Sequence, residues 1–388
     1  MVCMNCSTAW AALKTLEGGI QLSLQEESSA QQAAQELAAW LSKLQLEDAV
    51  QTLLIPNDTE TTLVCTLRPE IQQAWMPEHD TLSLHQGLAH LGIAQDPVSL
   101  DREILVALLG SPCRFKFADL GALASHVRVR RHMTLAARKT ALAFKTEAAE
   151  RPERYWHYDE EHGFILQPGV CLIDALISAT QPEVTGRLYD FSCYRASEYV
   201  ILLGIAQELK EHHPHLLLEL QKTNERHAIR SGQFHDVFLI EYGSMDKPLP
   251  TRYYVPGDRL WFRNPDERSS DVMGYEGSWV IYMGGGLFSN FWERDKPFTL
   301  ESKAIEIYHW RDGVHTDAQG QLQMNEHVVA QHVAQTCASP QATQDVLSRM
   351  LRMRDPQGVY ASGGCIDSTR EYPRGVSSQH CELVLPVF

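Results

Sequence analysis

The stretch 188-LYDFSCYRASEYVILLGIAQEL-209 carries a cysteine within two turns of an apolar helical run. Asp190 or Ser192 can cap such a helix, which places Cys193 in its first turn. Unpaired backbone N–H groups and the helix dipole favour negative charge there. A thiolate is the nucleophilic form of cysteine, and Arg195 in the same turn can add to its stabilisation. Free cysteine is also among the most buried residue types. These residues alone therefore allow either a nucleophile or a core thiol.

The remaining candidates for chemistry are weaker. Cys3 and Cys6 form one CxxC, without a second pair near enough to complete a usual zinc site. The 212-HHPH-215 run around Pro214 reads as a helix stop, and the basic run 126-HVRVRRHM-133 as a solvated helix face. The chain contains no HExxH, Walker loop or dinucleotide fingerprint.

Composition narrows the classes. The 388 residues are 44% hydrophobic and 21% charged, an ordinary globular balance. A formal net charge of -15 argues against a general nucleic-acid binder, because phosphate affinity rests on Lys and Arg. No stretch approaches the roughly 20 apolar residues of a membrane span. Nine scattered cysteines, without framework spacing, read as reduced thiols. With a first stretch that lacks the basic start of a secretory signal, they point to the cytoplasm.

The elements that must position Cys193 are readable in outline. Residues 1–110 read as a mainly helical N-terminal extension, with helices over 29–45 and 98–110 and a β-hairpin over 50–67. A long helix over 118–147 precedes two aromatic strands joined at Glu161-His162-Gly163. After the Cys193 helix come strands over 235–243, 258–264 and 278–284, then a helix over 300–313. Residues 316–388 read as a C-terminal extension, first helical and then loop-rich. Helix packed against successive strands is an α+β order.

The segment 255-VPGDRLWFRNPDERSSDVMGYEGSWVIYMGGGLFSNFW-292 resembles the central sheet of papain-like NlpC-type cysteine peptidases. In those proteins a PGD turn enters one strand and the next strand carries the base into a Gly-rich hairpin. A closer resemblance is to the small spore-coat transglutaminases of bacilli. It covers residues 111–315 and runs through 111-SPCRFKF-117, Tyr155-Trp156, 189-YDFSCYRA-196, 234-FHDVFLIEYG-243, 257-GDRLWFRNPD-266 and 277-GSWVIYMGGGLF-288.

The resemblance implies a nucleophile helix packed on an antiparallel sheet, with Cys193 as nucleophile. The base position, Glu in the transglutaminases and His in the peptidases, falls on Ser278. The third polar position falls on Asn290, and the Glu preceding the family's cysteine is Ser192 here. Serine cannot deprotonate a thiol at neutral pH. Glu276, two residues before Ser278 on one strand face, is therefore the expected base; Glu198 and His235, the latter expected at a strand head, are weaker candidates. Tyr189, Phe191 and Trp279 are expected to contact the substrate and shield the site from water. The implied reaction is cofactor-free, metal-free acyl transfer from a protein glutamine to a lysine amine. The alternatives are a glutamine deamidase or cysteine peptidase on the same core, or a silent binding module, motivated by Ser192, Ser278 and Asn290.

Overall fold

Alternating Ile20, Leu22 and Leu24 bury one face of β1 (Gly19–Leu24), the period of two that a half-buried strand requires. β2 (Val50–Pro56) and β3 (Thr61–Leu67) form the expected hairpin, and β4 (Arg114–Phe117) lies parallel to β1. The resulting sheet has the order β2-β3-β1-β4. Helices Glu27–Lys43 and Pro97–Leu109 cover it through Leu37, Leu41, Ile104 and Leu105. The N-terminal part thus sets its helices against a sheet, and β4 ties it to the chain beyond residue 110. The computed structural model describes residues 18–24, 27–56, 61–91, 97–144, 149–228, 231–355, 357 and 363–386. Cys3 and Cys6 lie outside them.

The helix expected over 118–147 occupies Leu120–Lys139, capped by Asp119, whose carboxylate accepts from the Ala122 N–H at 2.7 Å. Its basic run is not a solvated face. Arg130 is fully buried against Asp258, Arg128 pairs with Glu208 at 2.7 Å, and Arg131 pairs with Asp101. β5 (Trp156–Asp159) and β6 (Gly163–Leu166) pair as the expected aromatic hairpin.

A second sheet has the order β7-β12-β8-β9 and is antiparallel throughout. It contains β7 (Leu239–Tyr242), β8 (Arg259–Arg263) and β9 (Gly277–Ile281); β10 (Val314–Thr316) and β11 (Leu322–Met324) form a separate ribbon. Its remaining strand, β12 (Arg370–Pro373), comes from the region expected to be loop-rich, so the central sheet is not complete at residue 315. Residues 235–238, expected as the head of β7, belong instead to a helix over Ser231–Phe238. Phe234, Val237 and Phe238, at i, i+3 and i+4, bury one helical face.

The sheet separates two apolar layers. Ile281 packs with the Cys193 helix, through Val200, Ile201 and Leu203, in one core. Leu260, Phe262, Val280 and Tyr282 pack with helix Leu300–Gly313 in another. A helix on an antiparallel sheet is the α+β arrangement anticipated above.

Candidate active site

The Cys193 helix spans Cys193–His212, with Ser192 as its cap; the Ser192 hydroxyl accepts from the Arg195 N–H at 3.3 Å. Cys193 is therefore the first helical residue, where backbone N–H groups lack helical partners. Beyond it, Ala196, Val200, Ile201 and Leu203 are buried, each large apolar side chain contributing about 1.5–3 kcal/mol. That burial fixes the helix and, with it, the half-buried thiol.

β9 brings a second donor. Backbone bonds Asn264 N–H to Glu276 O, 3.1 Å, and Tyr282 N–H to Asp258 O, 2.9 Å, set the ladder phase. Residues 276, 278, 280 and 282 then exchange bonds with the β8 side, while Trp279 directs its N–H to the free edge of the sheet. The backbone N–H groups of Trp279 and Tyr194 both favour the Cys193 thiolate. Burial nevertheless holds the thiol above its ordinary value, against the pull of these donors and of the Lys303 and Arg259 charges.

Arg259 anchors the surroundings. Its side chain is 1% exposed, with Nη1 2.9 Å from Glu371 Oε2 and Nε 2.9 Å from Ser197 Oγ. The guanidinium lies over the rings of Tyr194 at 4.4 Å and Trp279 at 4.0 Å. Glu371 also meets His235 Nε2 at 3.3 Å. Glu198, buried beside Arg195 at 2.6 Å, completes the cluster. Burial raises the carboxyls of both Glu198 and Glu371 despite their arginine partners. A carboxyl poised nearer neutrality is suited to proton transfer.

The expected site residues separate in space. Trp279 stands against Tyr194, ring centroids 5.3 Å apart, beside the sulfur. Ser278 is its half-buried neighbour along β9, on the face turned to helix Leu300–Gly313. Glu276, the expected base, precedes β9, is exposed, and accepts from the Gly274 N–H at 3.2 Å. Asn290 is spent on its own loop, donating to Lys296 O at 3.0 Å and accepting from the N–H groups of Trp292 and Glu293. Phe191 is wholly buried between Arg151 and Tyr199, a core residue rather than a substrate contact. Tyr189 lines a groove of about 890 Å³ with Trp156, Tyr158 and Arg187. An adjoining groove of about 410 Å³ shares Trp156 and Tyr158 and is also lined by Arg195 and Glu198.

Sequence reasoning missed Arg259, Lys303 and Glu371. Arg259 follows directly on the PGD turn, and its place on β8 opposite β9 was a usable signal. Glu371 gave none, because β12 is too short for a pattern.

The turn itself is built on Asp258. Its carboxylate accepts from Arg130 Nη1 at 2.8 Å, from the Val255 N–H at 2.7 Å and from the Tyr242 hydroxyl. Gly257, at φ +88°, leaves room for Arg130, which a Cβ would approach to 3.0 Å. Glycines 284–286, all at positive φ, make the tight hairpin anticipated from the sequence, closed by Met283 N–H to Leu287 O at 2.8 Å.

A family model of protein-glutamine gamma-glutamyltransferases matches residues 86–367. Among solved structures, a transglutaminase from Geobacillus stearothermophilus, without its C-terminal extension, is similar. It is 21% identical, with a TM-score of 0.36, over 55% of this chain and 98% of that one. No curated protein matches in sequence.

Proposed function

Because this chain belongs to the protein-glutamine gamma-glutamyltransferase family, we propose that Cys193 is the nucleophile of its acyl transfer. The observation that carries this assignment is the placing of its thiol at a helix start, where backbone N–H groups and the charges of Lys303 and Arg259 favour the thiolate. The chain is an acyltransferase acting on protein glutamine. In our reading the thiolate attacks the carboxamide carbon. The C–N bond breaks, and ammonia departs with the proton the thiol has lost. A lysine amine then attacks the thioester carbon, forms the isopeptide bond and returns a proton to sulfur.

Arg259 and Lys303 favour the thiolate electrostatically. Donors aimed at developing charge, here the N–H groups of Tyr194 and Trp279, are the natural stabilisers of the tetrahedral oxyanion. Glu198, a buried residue lining the 410 Å³ groove, is the carboxyl suited to taking the amine's proton. Tyr189, on the larger groove, and Trp279, beside the sulfur, are the proposed substrate-side aromatics. A cytoplasmic setting belongs to the same proposal and is supported by the scattered cysteine pattern; no described helix is long and apolar enough to cross a membrane.

The test is incorporation of a labelled primary amine into casein by the purified protein and by Cys193→Ala. Incorporation that the variant abolishes is expected. Equal signals from the two proteins remove Cys193 from the reaction, and ammonia release without incorporation selects deamidation.

A further inference from the structure

On the sheet face opposite the Cys193 helix, helix Leu300–Gly313 packs beside helix Glu326–Cys337. His309 and Asp312, three residues apart on the first helix, share one face. His332 meets them from the second. His309 Nδ1 lies 2.6 Å from Asp312 Oδ2, and His332 Nδ1 lies 4.0 Å from the same oxygen. One donor atom from each of the three lies within 4.8 Å of the others.

Two features preorganise this trio. The imidazole rings stack, centroids 5.7 Å apart at 28°, so both rings address one carboxylate. The other nitrogen of His309, Nε2, is held at 2.7 Å by Thr336 Oγ1, which fixes the ring and leaves Nδ1 as the inward donor. Such an outer partner is the usual companion of a metal-binding histidine.

We propose that His309, Asp312 and His332 bind a divalent transition-metal ion of the Zn2+ class. Zn–N and Zn–O bonds of about 2.0–2.2 Å in a tetrahedron put donor atoms roughly 3.3 Å apart. The observed 2.6 and 4.0 Å straddle that spacing, so modest side-chain adjustment admits the ion. Two imidazoles and a carboxylate favour Zn2+, Ni2+ or Cu2+ over Mg2+ or Ca2+, which prefer all-oxygen sets. The side chains of Asp312 and His332 are 33% and 42% exposed, which gives the ion an entry route and leaves a fourth position to solvent. The bound ion clips together two helices, the first of which supports β8 and β9 through Leu300, Ala304 and Ile307. The site takes no part in acyl transfer and stands independently of that reading.

Co2+ is the suitable probe, because its absorption distinguishes nitrogen and oxygen ligands from thiolates. The distinction matters here, since Cys171, Cys337 and Cys381 are exposed. Equilibrium dialysis with absorption spectra compares wild type with His332→Ala, each first checked for an unchanged metal-free melting temperature. One equivalent of Co2+ without a thiolate charge-transfer band is expected in the wild type and absent from His332→Ala. Thr336→Val weakens binding by about tenfold. Co2+ uptake that is the same in wild type and His332→Ala overturns the site. If His332→Ala fails to fold, the exposed substitution Asp312→Asn carries the comparison, with the same two outcomes.

Discussion

Arg259 and Glu371 are joined at 2.9 Å across paired strands, and the same guanidinium covers the ring of Trp279, whose backbone N–H favours the Cys193 thiolate. Removing Arg259 therefore leaves Glu371 without its buried partner. Breaking a buried pair while leaving its partner typically costs about 3–5 kcal/mol. Glu371 keeps a 13% exposed side chain and the contact with His235, so the lower end applies. Arg259→Met is expected to lose about 3 kcal/mol in urea denaturation. Arg259→Lys retains charge but not the planar stacking, and is expected to recover only part of it. A stability unchanged by Arg259→Met would mean the pair contributes nothing.

The Cys193 thiol titrates above its ordinary value of 9.0, because burial outweighs the two N–H donors and the charges of Lys303 and Arg259. Its thiolate fraction is small at pH 7 and grows as pH rises. Alkylation by iodoacetamide is accordingly expected to accelerate through pH 9 without levelling. Lys303→Met and Arg259→Met should each move the profile to still higher pH. A plateau by pH 8 in the wild type would contradict the dominance of burial.

The acid–base residue is open to direct comparison. Glu276 is exposed and tied to the Gly274 N–H, whereas Glu198 is buried with a raised carboxyl. Glu276→Gln is expected to leave kcat/KM for amine incorporation within about twofold, the range of ordinary surface substitutions. Glu198→Gln should lower kcat and move the acidic limb of its pH profile, because the base must be ionised to take the proton. The reverse order would restore Glu276 as the base and displace Glu198.

What the sequence disclosed depended on chain distance. Cys193, its cap and its apolar helix sit within one continuous pattern, so local reasoning placed them. The glycine hairpin at 284–286 and the strands over 259–263 and 277–281 were likewise local. The partners of the thiol were not. Glu371 reaches Arg259 only because β12 inserts between β7 and β8, and four residues ending in Pro373 carry no readable period. The basic run around Arg130 looked solvated because its acceptors, Asp101, Glu208 and Asp258, lie far away in sequence. Phe191 looked available because an aromatic beside a nucleophile has the same sequence appearance whether it faces substrate or core.

The turn before β8 gives a stability prediction. Gly257 holds φ +88°, a conformation that costs an L-residue about 1–2 kcal/mol. An added Cβ would also press to 3.0 Å on Arg130, part of the buried pair with Asp258. Gly257→Ala is expected to destabilise the protein by about 2 kcal/mol or more. Asp258→Asn, which leaves Arg130 buried without its counter-charge, should cost about 3–5 kcal/mol. Chemical denaturation of both variants checks the order; a Gly257→Ala protein as stable as wild type would show that the turn adapts.

Glu103 behaves in the opposite sense to a paired surface carboxylate. It is buried beneath the glycine hairpin, where Oε1 accepts from the Gly285 N–H at 2.8 Å. Burial raises its carboxyl above 4.5, against the lowering effects of that N–H, His85 and Arg138. A folded-state pKa above the unfolded one means that the native protein holds the proton more tightly. The stabilisation is complete below the unfolded value and is lost as pH rises through the folded one. In the Glu103→Gln variant the side-chain amide cannot titrate, yet its carbonyl oxygen can still accept from the Gly285 N–H. The stability of Glu103→Gln relative to wild type should therefore improve steadily as pH rises from 4, by about 1.4 kcal/mol for each unit separating the two pKa values. Urea denaturation at pH 4, 6 and 8 reads this directly. A difference that stays constant across the series would show that Glu103 titrates normally despite its burial.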